Sequence, residues 1–294
     1  MTFTTTGRTL VVTRAAALIA TLLVAVAGVL ATAGPAAAVF NHGDDRLHIE
    51  TTLAALAGQP PTVPVVYLLG GSSARESITT EPAWTAVIEA FGGHAVAAYN
   101  FGSSSQTFSN DMAYVNAMPE VPSIVLIGLN VGRFCDPLPK AVSARGLAAT
   151  AVYDSHRFHD GQQLSVAAKR KLAAAWLVDR YPVFKARYSG QIALLRQLIA
   201  LCQQKGFCPV LVELPLNLPI IGHSWDGARN TYHAGARAVA AAYGIPYVDF
   251  IAHIGLVSHD FMDVSHLVEP GRAKYQARLS HEVVTRLKQY GLTP

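Results

Sequence analysis

Apolar and polar positions alternate in blocks along this chain of 294 residues. The run VPVVYLL (63–69) is almost wholly apolar, the pattern of a strand buried on both faces. HAVAAYN (94–100), SIVLIGLN (123–130) and CPVLVEL (208–214) repeat it, and PYVDF (246–250) is a shorter fifth run. Helical patterns lie between them. Trp84, Val87, Ile88 and Phe91 recur at helical spacing, with Pro82 suited to the first turn and Gly92 to the end. A short helix is predicted around 109–118, and helical patterns cover about 164–206 and 225–243. A last helix starts near Gly271 and aligns Tyr275, Leu279, Val283 and Leu287 on one face. Strands alternating with helices predict an α/β fold, a parallel sheet of about five strands covered on both sides. The stretch 136–188 is long for one crossover. It could form a lid or substrate wall, or simply add helical packing.

Residues 1–38 do not share this organisation. Arg8 and Arg14 are their only charges, Ala15 to Gly34 is uncharged and apolar, and Pro35-Ala36-Ala37-Ala38 follows. A basic start, an apolar run and an A-x-A site predict a secretory signal peptide cleaved after Ala38. The rival is an uncleaved anchor, since the run approaches the ~20 residues that span a bilayer. Cleavage leaves 39–294 as one domain, secreted or in the cell envelope, with no stable membrane span.

Composition then changes meaning. The formal charge of +4 drops to +2 without Arg8 and Arg14, and no Lys/Arg cluster of nucleic-acid type occurs. Nucleic acid is therefore not an expected partner, and a monomer is expected. With export, Cys202 and Cys208 in CQQKGFC predict a disulfide, and Cys135 stands apart.

In open parallel sheets ligands bind beyond the carboxyl ends of the strands. After the first run comes Gly70-Gly71-Ser72-Ser73-Ala74-Arg75-Glu76, after the second Asn100-Phe101-Gly102-Ser103-Ser104-Ser105, and after the third Gly128-Leu129-Asn130. Asp263-Val264-Ser265-His266 precedes the last helix. A serine, a glycine amide, an asparagine and an Asp/His pair converging on one edge are the parts for acyl transfer through a serine.

These blocks resemble the SGNH hydrolases, the GDSL-type esterase superfamily, whose four blocks carry Ser, Gly, Asn and His in this order. The matches are Gly70-Gly71-Ser72, Gly102, Gly128-Leu129-Asn130 and the D-x-x-H of Asp263 to His266. Gly71 stands where the family usually has Asp. The resemblance implies a flavodoxin-like three-layer α/β/α sandwich and a triad of Ser72, His266 and Asp263. It also implies an oxyanion hole from Ser72, Gly102 and Asn130, and no cofactor. The substrate it implies is a short-chain acyl ester such as an acetyl ester, with a cell-wall glycan or lipid as the wider partner. Two alternatives remain: an acyltransferase to envelope glycans on the same triad, and a non-catalytic carbohydrate-binding protein.

Other residues carry weaker signals. Arg75 could touch substrate or pair with Glu76, and Ser73 competes with Ser72 as nucleophile. Cys135 is a minor nucleophile candidate. His156, His159 and Asp160 hint at a metal site, but no H-E-x-x-H spacing occurs. The Gly-Lys-Ser/Thr of a P-loop and the G-x-S-x-G elbow are both missing from the sequence.

Overall fold

A computed structural model describes residues 42–136 and 162–293. The signal-peptide segment, His156, His159, Asp160 and the middle of the 136–188 stretch lie outside the described residues. The described chain runs α1 (His42–Gly58), β1 (Val65–Gly70), α2 (Ser72–Arg75), α3 (Glu81–Gly92), β2 (Ala97–Gly102) and α4 (Phe108–Ala117). It continues with β3 (Ser123–Leu129), α5 (Val166–Asp179), α6 (Tyr181–Gln204), β4 (Cys208–Glu213), α7 (Leu218–Ile221), α8 (Asp226–Tyr243), β5 (Tyr247–Val248) and α9 (Glu269–Gln289).

The five strands form one parallel sheet in the order β2-β1-β3-β4-β5. Every residue of β1 and β3 is buried, which is why their sequences carry no polar alternation. Successive side chains serve opposite layers. Tyr67, Leu69, Val125, Ile127 and Leu211 pack with α1, α4, α6 and α8. Val66, Leu68, Ile124, Leu126, Val210 and Val212 pack with α3 and α9 through Trp84, Ile88, Tyr275, Leu279 and Val283. The architecture is thus a three-layer α/β/α sandwich with a 2-1-3-4-5 sheet, whose order reverses between β1 and β3.

Several boundaries differ from the sequence expectation. β2 sits nearer Gly102 than expected, because its register pairs Ala97 with Val65 and Gly102 with Gly70. The helical pattern over 164–206 is two helices, broken at Arg180, with Pro182 in the first turn of α6. Phe91 is 50% exposed at the end of α3 and meets the ring edge of His281, while Trp84 and Ile88 fill the core.

The predicted Cys202–Cys208 disulfide is not formed, and all three cysteines are free. Cys202 lies on α6 in the layer that holds Leu211. Cys208 opens β4 with its side chain in the opposite layer, among the partners of Val210 and Val212. The sheet separates two thiols that are close in sequence.

Candidate active site

The carboxyl ends of β1, β2 and β3 open onto a cavity of about 220 Å³. Its wall includes Gly71, Ser72, Ser73, Ser105, Gln106, Asn130, Arg133, Asp136, Arg180 and Ser265. None of these side chains is aliphatic or aromatic.

Ser72 begins α2, directly after β1. The turn is tight: a Cβ on Gly70 would lie 2.6 Å from the Ala74 Cβ, so glycine is needed there. Ser72 Oγ lies 2.8 Å from His266 Nε2, and His266 Nδ1 lies 2.8 Å from Asp263 Oδ2. A carboxylate only accepts, so Nδ1 carries the proton and Nε2 accepts from the serine hydroxyl. Ser73, the rival serine, instead accepts a hydrogen bond from Asn130 Nδ2 at 3.2 Å.

Asp263 and His266 occupy the tip of a small antiparallel hairpin. Phe261 bridges Leu267, and the Met262 N–H donates to the His266 carbonyl at 2.8 Å. Asp263 Oδ1 closes the tip by accepting the N–H groups of Ser265 (2.8 Å) and His266 (2.9 Å). That side-chain turn is why three residues' separation brings both groups to face Ser72.

Electrostatics follow from this packing. Burial would raise the Asp263 carboxyl, but the hydrogen bond and charge of His266 and two backbone N–H groups outweigh it and bring it down to about 2. Burial lowers the His266 imidazole, and the Asp263 bond and charge overturn that, leaving it raised from 6.5. Glu76 raises it further and Arg75 opposes. Asp136, in the cavity wall, is pushed up to about 6 by burial, against the nearby Arg133 and Arg180.

Ser72, Ser105 and Asn130, all in the cavity wall, each carry an N–H donor. The Ser72 and Ser105 backbone N–H groups make no hydrogen bond among the described residues. Asn130 holds its amide by accepting from the Arg133 N–H through Oδ1 at 3.2 Å, which turns Nδ2 toward Ser73. Gly102, expected in the oxyanion hole, is elsewhere. Its N–H donates to Asn100 Oδ1 at 3.0 Å, it is absent from the cavity wall, and a Cβ there would collide with the Arg75 backbone N. Its role is close packing of β2 on α2. Ser105, three residues on, takes the position at the cavity with φ 59°, a left-handed conformation uncommon for serine. A buried chain holds that loop: Arg133 Nη2 donates to Asp111 (2.5 Å), Gln106 Nε2 donates to Asp111 (2.6 Å), and Ser103 Oγ donates to Gln106 (2.8 Å). Gln106, Asp111 and Arg133 were not singled out by sequence, and Ser105 stood there only as the end of the block after the second strand, with no role assigned. The only available signal was the unusual Ser-Ser-Ser-Gln run after β2.

Arg75 also departs from expectation as a substrate contact. Its side chain is 3% exposed and pairs with Asp45 (2.8 Å), with Ser104 Oγ (3.1 Å) and with Glu76. The face of α2 that carries it turns toward α1 and away from the cavity. Cys135 is buried, outside the cavity wall, and its thiol is pushed up to about 11 by burial, the opposite of an activated thiolate.

Among the described residues, Glu213, His233 and Asp249 bring possible metal-ligating atoms within 4.8 Å of one another. Protein groups already engage them: Tyr232 OH donates to Glu213 (2.9 Å), Tyr247 OH lies 2.6 Å from His233 Nδ1, and Arg237 pairs with Asp249 (2.7 Å). No described helix is long and apolar enough to cross a membrane.

No family model matches the chain, and no curated protein matches it. Among solved structures, a Bacillus subtilis protein aligns at TM-score 0.45 and 14% identity, over 79% of this chain and 58% of its own, so this chain spans less than two thirds of that protein. A member of the lipolytic G-D-S-L family from Veillonella parvula aligns at TM-score 0.45 and 15% identity, over 76% of this chain and 100% of its own. An acetylxylan esterase from Geobacillus stearothermophilus aligns at TM-score 0.46 and 15% identity, over 74% of this chain and 93% of its own.

Proposed function

We propose that this chain is an exported serine esterase of SGNH type that hydrolyses short-chain acyl esters. The observation that carries the reading is the hydrogen-bonded series Ser72–His266–Asp263, with Ser72, Ser105 and Asn130 in the wall of the adjoining cavity. His266 Nε2 takes the Ser72 proton as Oγ attacks the ester carbonyl. Asp263 fixes the Nδ1–H tautomer and stabilises the imidazolium. The Ser72 and Ser105 N–H groups and Asn130 Nδ2 receive the developing oxyanion. His266 returns the proton to the leaving alcohol, and a water activated the same way releases the acyl group.

The small, polar cavity supports a short acyl group over a fatty chain, since none of the described residues in its wall carries an aliphatic or aromatic side chain to stabilise added methylenes. Export rests on the pattern of residues 1–38. The test is hydrolysis of 4-nitrophenyl acetate through octanoate beside Ser72→Ala. Acetate turnover abolished in the variant is expected, and undiminished turnover would sink the nucleophile assignment. The secreted protein is expected to begin at Val39 by mass spectrometry, and retention of residues 1–38 would instead mean an anchor.

A further inference from the structure

The hairpin that carries Asp263 and His266 is gripped from two sides. On one side Asn217 donates from its N–H to the Val264 carbonyl and from Nδ2 to the Asp263 carbonyl, both at 2.9 Å. On the other lies the stretch that leads into α5. The Leu164 N–H donates to Met262 O at 2.9 Å, and Gln163 Nε2 donates to His259 O at 2.5 Å. Deeper in, Lys169 is 2% exposed, and its Nζ donates to Ser258 O at 2.7 Å and to Phe261 O at 2.6 Å.

A buried ammonium is a costly way to fill space, and methionine would fill it more cheaply. What only the ammonium supplies is charge-assisted hydrogen bonding to two carbonyls that converge at the hairpin base, with positive charge near its tip. Burial lowers the Lys169 amine, and Asp263 is the one carboxylate that opposes this. The lysine thus senses the acid of the triad without touching the cavity around Ser72.

We propose that Lys169 is a positioning residue for the Asp263–His266 pair, fixing the hairpin base so that His266 Nε2 stays in reach of Ser72 Oγ. The inference rests on the esterase reading above. It also makes α5 a working part of the site rather than added packing. The charged groups that face His266 are Asp263 on its own hairpin and Glu76 and Arg75 from the α2 end. Lys169 acts on it from α5 through Asp263.

The test uses the full secreted protein with Lys169→Met and Lys169→Arg. With Met, kcat on 4-nitrophenyl acetate is expected to fall about 10–100-fold, the scale of a reacting group misplaced by an ångström, while KM holds. The rate of Ser72 labelling by a fluorophosphonate should fall in step. Removing the cation beside Asp263 favours the imidazolium, so the acid limb of kcat/KM should move to higher pH. Lys169→Arg keeps the charge and should return the limb toward wild type. A purely structural lysine would lower the melting temperature but leave kcat and the limb of the folded enzyme in place, and that result overturns the proposal. If Lys169→Met does not fold, Lys169→Gln carries the same comparison. A wild type that neither hydrolyses nor labels sinks the esterase reading and this inference with it. An active wild type with an indifferent Lys169 sinks this inference alone.

Discussion

Replacing Asn130 tests the oxyanion assignment with two variants that differ in charge. Asn130→Ala deletes Nδ2, the side-chain donor of a residue in the cavity wall. Loss of one such donor costs ~10²–10³ in kcat, about 3–4 kcal/mol of transition-state stabilisation. The local turn should survive, because the Arg133 N–H also donates to the Asn130 backbone carbonyl at 3.2 Å. Asn130→Asp keeps an acceptor for that N–H and replaces the donor with a carboxylate. A negative charge ~4 Å from the developing oxyanion, at an effective dielectric of ~20, adds about 4 kcal/mol of repulsion. At about 1.4 kcal/mol per decade, that is a further ~10³ in rate. The aspartate should therefore be the worse variant by orders of magnitude, although it is the closer isostere. The assay is 4-nitrophenyl acetate hydrolysis at mildly alkaline pH, with melting curves to confirm folding. A folded alanine variant within a few-fold of wild type, or an aspartate no worse than alanine, would refute the reasoning.

Other outcomes follow from the same geometry. In the proposed mechanism the neutral imidazole is the base and its folded pKa is raised, so kcat/KM should fall on acidification at a pH above 6.5, and a flat profile from pH 5 to 8 would exclude His266 as the base. The Asp263 carboxyl sits near 2 against an ordinary 3.8, so it contributes about 2 kcal/mol of stability above the ordinary value. That contribution is lost as pH falls toward 2, and acid unfolding of Asp263→Asn should lack this part of the slope. Arg75→Met leaves Asp45 and Glu76 buried without their shared cation and should cost about 3–5 kcal/mol in urea unfolding. An effect below about 1 kcal/mol would argue that the pairs contribute nothing. Alkylation of the unfolded, unreduced protein should add three groups, one for each free cysteine, and a single addition would mean a disulfide after all.

Sequence revealed what burial dictates. β1 and β3 were legible because both faces are covered, which leaves continuous apolar runs. α9 was legible because Tyr275, Leu279, Val283 and Leu287 are all buried along one stripe. Ser72, Asn130, Asp263 and His266 could be singled out because strand ends and the D-x-x-H turn have local signatures, and the fold brings Ser72, His266 and Asp263 into one hydrogen-bonded series. What escaped depends on backbone state or on which layer a side chain enters. That Ser105 rather than Gly102 stands in the cavity wall goes with a positive φ in a serine, which no residue type announces. The cysteine pairing failed because spacing along the chain says nothing about the parity of β4. Arg75 looked available because it follows the nucleophile, and only the fold shows that its partner is Asp45 on α1. α1 was missed because its pattern mixes charged and apolar residues with little periodicity.

Ser72 meets a histidine 194 residues later in the chain. The same two regions are tied by Thr79 to Gln276 and by Arg272 to the Glu76 carbonyl, spans of 197 and 196 residues. Contacts so distant close late in folding, since the loop entropy must be met before they form. Ser72 therefore emerges from the ribosome long before His266 does. A chain stopped before Asp263 contains β1 to β5 yet has neither carboxylate nor imidazole beside Ser72, so under the proposed mechanism nascent and truncated forms would be hydrolytically silent. Turnover by that mechanism would require the chain through His266 to be in place, which would make it a more stringent measure of native structure here than helix content.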